Sequence, residues 1–416
     1  MQKIISNDSE KNLILFLLLF STLFLWPLPY KVPHTSLTYY VIAYFCFIGF
    51  GIGCLIFYRD RQIFKQYKSL SVYTMFIILN LLSFIIFTRD FALRSSPSPL
   101  KTTVAFIFFL ALINSIQLSD LYVSRIKVFF SVIAIYYSLL IFLHLFILDS
   151  VFLTQALTLN IFKIGPMHNR NQTALYLSLM FPVVFAFFAH KKTTMAFFVT
   201  AITAFGGFYT LSRSAFLSIA LAVIILAVVA RERKKYLYLI AIILALYAVL
   251  HFGFNITPNK ILELKVAGGY KTQPSWVNIQ GSRSRYIFQA LEGFKQAPVF
   301  GNGVGSFFWN NIEYAPDGSV VRYHATSHND YVLVLNELGI VGFLSFLSVL
   351  LCPLIKMWKH RNYIPKKFLW LWEGHFVAII IIIFQLNLTN FYETMIFWYN
   401  VGMAEVLTIY ANEIPS

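Results

Sequence analysis

Long apolar runs recur along the chain, separated by short polar stretches. They fall at about 12–29, 37–58, 70–88, 101–118, 125–148, 172–189, 193–211, 214–230, 236–253, 328–355, 368–387 and 392–411. Runs of this length can cross a hydrocarbon core roughly 30 Å thick. In lipid the backbone must satisfy its own hydrogen bonds, so each run predicts a helix. A membrane barrel would instead show alternating segments of about ten residues, and none occurs. The pattern predicts an all-α, polytopic integral membrane protein with about twelve transmembrane helices. The first run begins after a polar tail, near Asn12, and reads as a first span rather than a cleaved signal.

A single long polar segment breaks this pattern. It divides the chain into a membrane domain at 1–253, a loop region at 254–327 and a second membrane portion at 328–416 holding the last three helices. Within the loop, Tyr286, Ile287, Ala290, Leu291 and Phe294 recur at helical spacing and predict an amphipathic helix near 283–296. Ser282 suits its N-cap, and Pro298 with the Gly301-Asn302-Gly303-Val304-Gly305 run ends it. A loop this long is usually functional.

Composition reinforces the membrane reading: 58% of residues are hydrophobic, 12% are charged and the mean hydropathy is +0.70. A net charge of +16 would suggest nucleic acid on a soluble protein. Here the basic residues sit in loops, so topology explains them and no nucleic-acid partner is expected. Groups such as Arg59-Asp60-Arg61, Arg231 to Lys235, and Lys356 to Lys367 fall on alternate loops. By the positive-inside bias those loops and both termini are cytoplasmic, which puts the 254–327 segment on the outer face. Cys46, Cys54 and Cys352 lie inside apolar runs and offer neither a disulfide framework nor a metal-ligand spacing. The chain has no Gly-rich phosphate loop with Lys-Ser/Thr and no Asp-x-Asp, and its one His-x-x-x-His pair, His324 and His328, has no further Cys or His ligand beside it, so metal-independent chemistry without a cofactor is expected.

Three outer-face features carry candidate chemistry. Arg213 stands between two apolar runs, where it is either an interfacial anchor or an anion ligand. In the 283–296 helix, Arg283 falls on the apolar stripe and Arg285 on the opposite face, beside Gln289 and Glu292. An arginine on a packed face needs a partner, either a structural ion pair or a ligand. Ser327-His328-Asn329-Asp330-Tyr331 precedes an apolar run with the spacing of a capping box. That spacing places His328 in the first turn of a helix, as an ordinary surface histidine or as a general base near a site favourable to anions. The short loop Pro166 to Asn171 joins these features on the same face.

At these residues the chain resembles the O-antigen ligase/polymerase superfamily. Ser212-Arg213-Ser214 is similar to that family's Ser-Arg-Gly/Ser element. Arg283 through Gly305 is similar to its stretch of arginine, apolar run, Ala-Leu, Pro and Gly-x-Gly-x-Gly. His328-Asn329-Asp330-Tyr331 followed by Gly339 and Gly342 resembles its His-Asn-x-Tyr/Phe…Gly-x-x-Gly signature, and Asn171 to Ala174 resembles Asn-x-x-Ala. The resemblance spans roughly 165–345. It implies an inverting glycosyltransferase of a bacterial inner membrane, working at the periplasmic face. The donor it implies is an undecaprenyl-diphosphate-linked glycan, and the acceptor lipid A–core. On this reading His328, Arg213 and Arg283 are catalytic, and Arg285, Asn171, Asn329 and Asp330 bind diphosphate or glycan. A polymerase of the same superfamily is the first alternative. Arginine-rich repeats with a Gly eleven residues on, frequent in such polymerases, are missing at Arg213, Arg283, Arg285 and Arg322. A sugar or lipid transporter is the second, although the spans are nearly free of charge.

Overall fold

The computed structural model describes residues 70–87, 97–115, 170–191, 213–231, 282–310, 312–314, 320–323 and 327–413, with scattered residues between 194 and 240. The expected spans 12–29, 37–58 and 125–148, and most of 193–211, 236–253 and the loop before Ser282, lie outside the described residues. The elements are α1 (Leu70–Phe87), α2 (Pro97–Ser115), α3 (Arg170–Lys191), α4 (Arg213–Val229), α5 (Ser282–Gln296), α6 (Ser306–Asn310), β1 (Ile312–Tyr314), β2 (Val320–Tyr323), α7 (Asp330–His360), α8 (Leu369–Gln385) and α9 (Met395–Glu413). Helices thus stand where the apolar runs at 70–88, 101–118, 172–189, 214–230, 328–355, 368–387 and 392–411 predict them. Among the described residues, the loop region departs from all-α in the short antiparallel pair β1–β2.

Helix α8 is the centre of the described bundle. Its residues are apolar all round and nearly all buried, Trp370, Leu371, Trp372 and Val377 among them, as expected of a helix surrounded by others. It packs on α3, α4, α7 and α9. Contacts near its two ends set the direction of every neighbour. Gln385, at its end, reaches Ser178 of α3 and Ser214 and Ser218 of α4. Glu373, at its start, accepts hydrogen bonds from Tyr236, from the Arg231 amide at 3.0 Å and from His190 at 2.8 Å. Trp372 donates to Met357 O late in α7, and Tyr331 early in α7 donates to Ile383 O late in α8. Therefore α3, α4, α7 and α9 all begin at the end where α8 finishes. Tyr73 and Lys356 share Glu405 at the other end, while Ser83 reaches Glu337 O. So α1 runs toward the first end. That end is called the site end below.

Long exposed apolar side chains form stripes rather than scattered points. They run along α1 (Met75, Ile78, Leu82, Ile85), α4 (Leu217, Ile224, Val228) and α7 (Ile340, Leu344, Leu351, Ile355). The segments Asp330–Tyr363 and Lys366–Gln385 are each long and apolar enough to cross a membrane, with mean hydropathy 2.5 and 1.8.

Helix α7 is broken at Gly339, where φ is 63° and ψ is −166°. This region of backbone space is essentially reserved for glycine. A straight helix would pair Ile340 N with Asn336 O and Val341 N with Glu337 O. Instead Ile340 N donates to Pro298 O and Val341 N to Val299 O, while Asn336 O and Glu337 O accept from Asn302 N and Gly303 N. The 298–303 loop is inserted into the helix ladder and replaces the lost bonds, as a break in buried backbone requires. The Gly-x-Gly-x-Gly run makes this possible, since Gly301, Gly303 and Gly305 have φ of 74°, 97° and 83°. Asn302 and Asn336 close the joint by donating to Gly293 O and Ala290 O of α5. The run therefore ends α5, as expected, and also holds α5 against α7.

Candidate active site

The start of α7 differs from its sequence expectation. The capping box from Ser327 to Asp330 does not form. Asn329 is the N-cap, its side chain accepting from Tyr331 N at 3.0 Å and Val332 N at 3.2 Å. His328 consequently sits before the helix, not in its first turn, with φ of +54°. Asn329→Ala is expected to cost about 1 kcal/mol of stability, measurable as a lowered unfolding midpoint of the purified protein.

The turn around His328 is held from the linker between α8 and α9. His328 N donates to Asn390 Oδ1 at 2.8 Å. The other half of that amide donates to Ser327 Oγ at 3.1 Å and to Asp330 Oδ1 at 2.8 Å. Asp330 is fully buried; its Oδ2 accepts from Phe391 N at 2.7 Å and Tyr392 N at 3.0 Å, and its own amide donates to Leu386 O. Both carboxylate oxygens are thus engaged by protein donors.

The other candidate positions gather at the same end. The His328 ring lies 6.5 Å, centroid to centroid, from Tyr286 of α5. Tyr286, Ala290 and Phe307 form a small core under Val332 and Leu333. Position 283 precedes Tyr286 by three residues, so it shares that stripe, one turn nearer the helix start. Arg213 is the first residue of α4, and the next carbonyl, Ser214 O, accepts from Gln385 at 3.1 Å. Gln385 adjoins Leu386, the acceptor of the Asp330 amide, so the starts of α4 and α7 meet through two consecutive residues of α8 and its linker. Asn171 is the second residue of α3, which begins at this end. The side chains of Arg213, Arg283 and Asn171 lie outside the described residues, and their placement here is that of the backbone. Arg285 is half-buried on α5. Among the described residues no group of His, Cys, Asp and Glu could hold a metal ion.

Residues 195–347 match the O-antigen ligase family. This segment is similar to an O-antigen ligase domain. No curated protein matches the chain. The matched segment contains α4, α5, the glycine run, His328 and the break at Gly339. Gln385 and Asn390 lie beyond it in the chain, yet they join its helix starts. Sequence reasoning misses both residues. Its available signal is the polar run Asn387-Leu388-Thr389-Asn390 between two apolar runs. Asn387 falls within an expected span; it follows the end of α8 instead.

Proposed function

We propose that the chain is a polytopic inner-membrane glycosyltransferase of O-antigen ligase type, transferring a glycan from undecaprenyl diphosphate to lipid A–core at the periplasmic face. One observation carries the reading: within the segment that matches the O-antigen ligase family, His328 and the backbone starts of α4 and α5, the positions of Arg213 and Arg283, lie at one end of the bundle.

Two features support the membrane part. The apolar stripes on α1, α4 and α7 are what lipid-facing sides require, and a water-soluble protein rarely exposes such continuous surface. On α7 the stripe starts at Ile340, just past the break. The piece from Gly339 to His360 is about 32 Å long, enough by itself to cross the hydrocarbon core. The helix directions agree with alternate crossing, and the exposed Arg231, Arg233, Lys234, Lys359, Lys366 and Lys367 lie at the end away from His328. By the charge bias that end is cytoplasmic.

The chemistry follows from the parts at the site end. The acceptor hydroxyl oxygen attacks the anomeric carbon, the bond to the diphosphate oxygen breaks, and configuration inverts. His328 takes the hydroxyl proton. Arg213 and Arg283, aided by the partial positive charge of two helix starts, bind the diphosphate and stabilise the charge that develops on it. Arg285, Asn171 and Asn329 contact diphosphate or glycan, and Asp330 shapes the turn. No protein nucleophile is needed.

Acceptor identity tests the reading. Purified protein is supplied with lipid-linked glycan and lipid A–core together. Growth of lipid A–core is the expected result; growth of the lipid-linked glycan alone would make the protein a polymerase, and movement of intact substrate without transfer would make it a transporter.

A further inference from the structure

The hydrogen bonds of Asn390 take no part in the transfer chemistry assigned to His328, Arg213 and Arg283. His328 adopts a left-handed backbone conformation, uncommon for a residue with a side chain. Such a conformation costs on the order of 1–3 kcal/mol and persists only where the surroundings over-determine it. Here one side chain, Asn390, joins all three of Ser327, His328 and Asp330, beside the bonds between Ser327 and Asn329 within the turn. The carbonyl of the Asn390 amide accepts the His328 N–H, and its amino group donates to both neighbours in the turn, Ser327 and Asp330. Asp330 in turn fixes the backbone on the far side of Asn390, accepting from Phe391 N and Tyr392 N. The result is a closed loop of hydrogen bonds between two chain segments about sixty residues apart. An amide has both an acceptor and a donor for this task. A carboxylate lacks the donors, a cation lacks the acceptor, and a hydroxyl has one donor where Ser327 and Asp330 take two.

We propose that Asn390 is the positioning residue for His328: it holds the turn in the conformation that aims the imidazole at the acceptor hydroxyl. This rests on the reading of His328 as the proton acceptor. It adds a residue of the α8–α9 linker, outside the matched segment, to the machinery of transfer. Asn390 is assigned no contact with a reacting atom and acts through the turn from Ser327 to Asp330.

The test compares Asn390→Ala, Asn390→Asp, the exchange Asn390→Asp/Asp330→Asn, and His328→Ala, with kcat, donor KM and melting temperature measured for each. Asn390→Ala is expected to lower kcat by about 10- to 100-fold with donor KM nearly unchanged, since a small misplacement of a catalytic group acts on the chemical step. Asn390→Asp sets two carboxylates against each other and is expected to be at least as poor. The exchange keeps an acceptor for His328 N–H and restores an amide–carboxylate pair in reverse order, so it is expected to recover most of the lost kcat. A role confined to folding would instead move melting temperature and kcat together. Folded Asn390→Ala protein with nearly normal kcat beside an inactive His328→Ala protein would overturn the proposal. So would an exchange variant that regains stability but not kcat. Normal turnover by His328→Ala would instead remove His328 as the proton acceptor, whatever the Asn390 variants do.

Discussion

His328→Ala in the detergent-purified protein is expected to reduce glycan transfer to lipid A–core by about 10²- to 10⁴-fold, the range of a well-placed general base. The loss should fall on kcat, because the imidazole is assigned to the chemical step rather than to donor binding. Arg213→Ala is expected to lose about 10²- to 10³-fold, the scale of one removed charge-stabilising donor, and to raise donor KM as well, since the guanidinium would bind the diphosphate before and during transfer. The two profiles differ, so their comparison separates proton transfer from leaving-group stabilisation. Transfer can be followed as a mobility shift of lipid A–core, with melting temperature as the check on folding. Wild-type turnover by either folded variant would remove that residue from the mechanism.

Gly339→Ala is expected to be strongly destabilising. Its Cβ would lie 2.3 Å from Val299 O and 2.6 Å from Phe300 N, both backbone atoms. Neither can swing aside as a side-chain tip could. Relief requires the 298–303 loop to withdraw, which severs the bonds from Ile340 N and Val341 N. It would also impose a side chain on a backbone conformation that is essentially glycine-only. Strain and lost hydrogen bonds together are expected to cost about 3–5 kcal/mol. The reciprocal position, Gly301, would bring its Cβ 2.3 Å from Glu337 C and should behave alike. Thermal unfolding of the purified variant measures the effect. Ser348→Ala, at a half-buried site on the same helix where the hydroxyl bonds only the Leu344 carbonyl one turn back, serves as the control and should stay within about 0.5 kcal/mol of the parent. A Gly339→Ala protein as stable as that control would mean that the loop is not inserted in the helix as described.

These two sites also show how unevenly the sequence reveals the structure. That Gly301, Gly303, Gly305 and Gly339 matter is visible in the chain, because glycine runs beside apolar runs mark special backbone. Their purpose is hidden there. As a local pattern the glycine run stops α5; in the fold it fills a gap in a helix that starts some thirty residues later. The turn at His328 is similar. Ser327 and Asp330 have capping-box spacing, and local spacing cannot tell which of three adjacent polar residues caps the helix. Asn390 takes Ser327 as its acceptor and Asp330 holds the linker backbone, which leaves Asn329 to serve as the cap.

The chain by itself determined the helices of the described bundle. Apolar periodicity and run length are properties of contiguous residues, and a helix closes its hydrogen bonds over four of them. It also determined which face of α5 is apolar, and it singled out Arg213, Arg283 and His328. Only the tertiary structure decided the break in α7, the left-handed turn at His328, and the roles of Gln385 and Asn390. Each of these depends on a hydrogen bond between segments dozens to more than a hundred and fifty residues apart. Such a bond leaves no periodic trace in either segment, because its geometry exists only once the helices between them are packed.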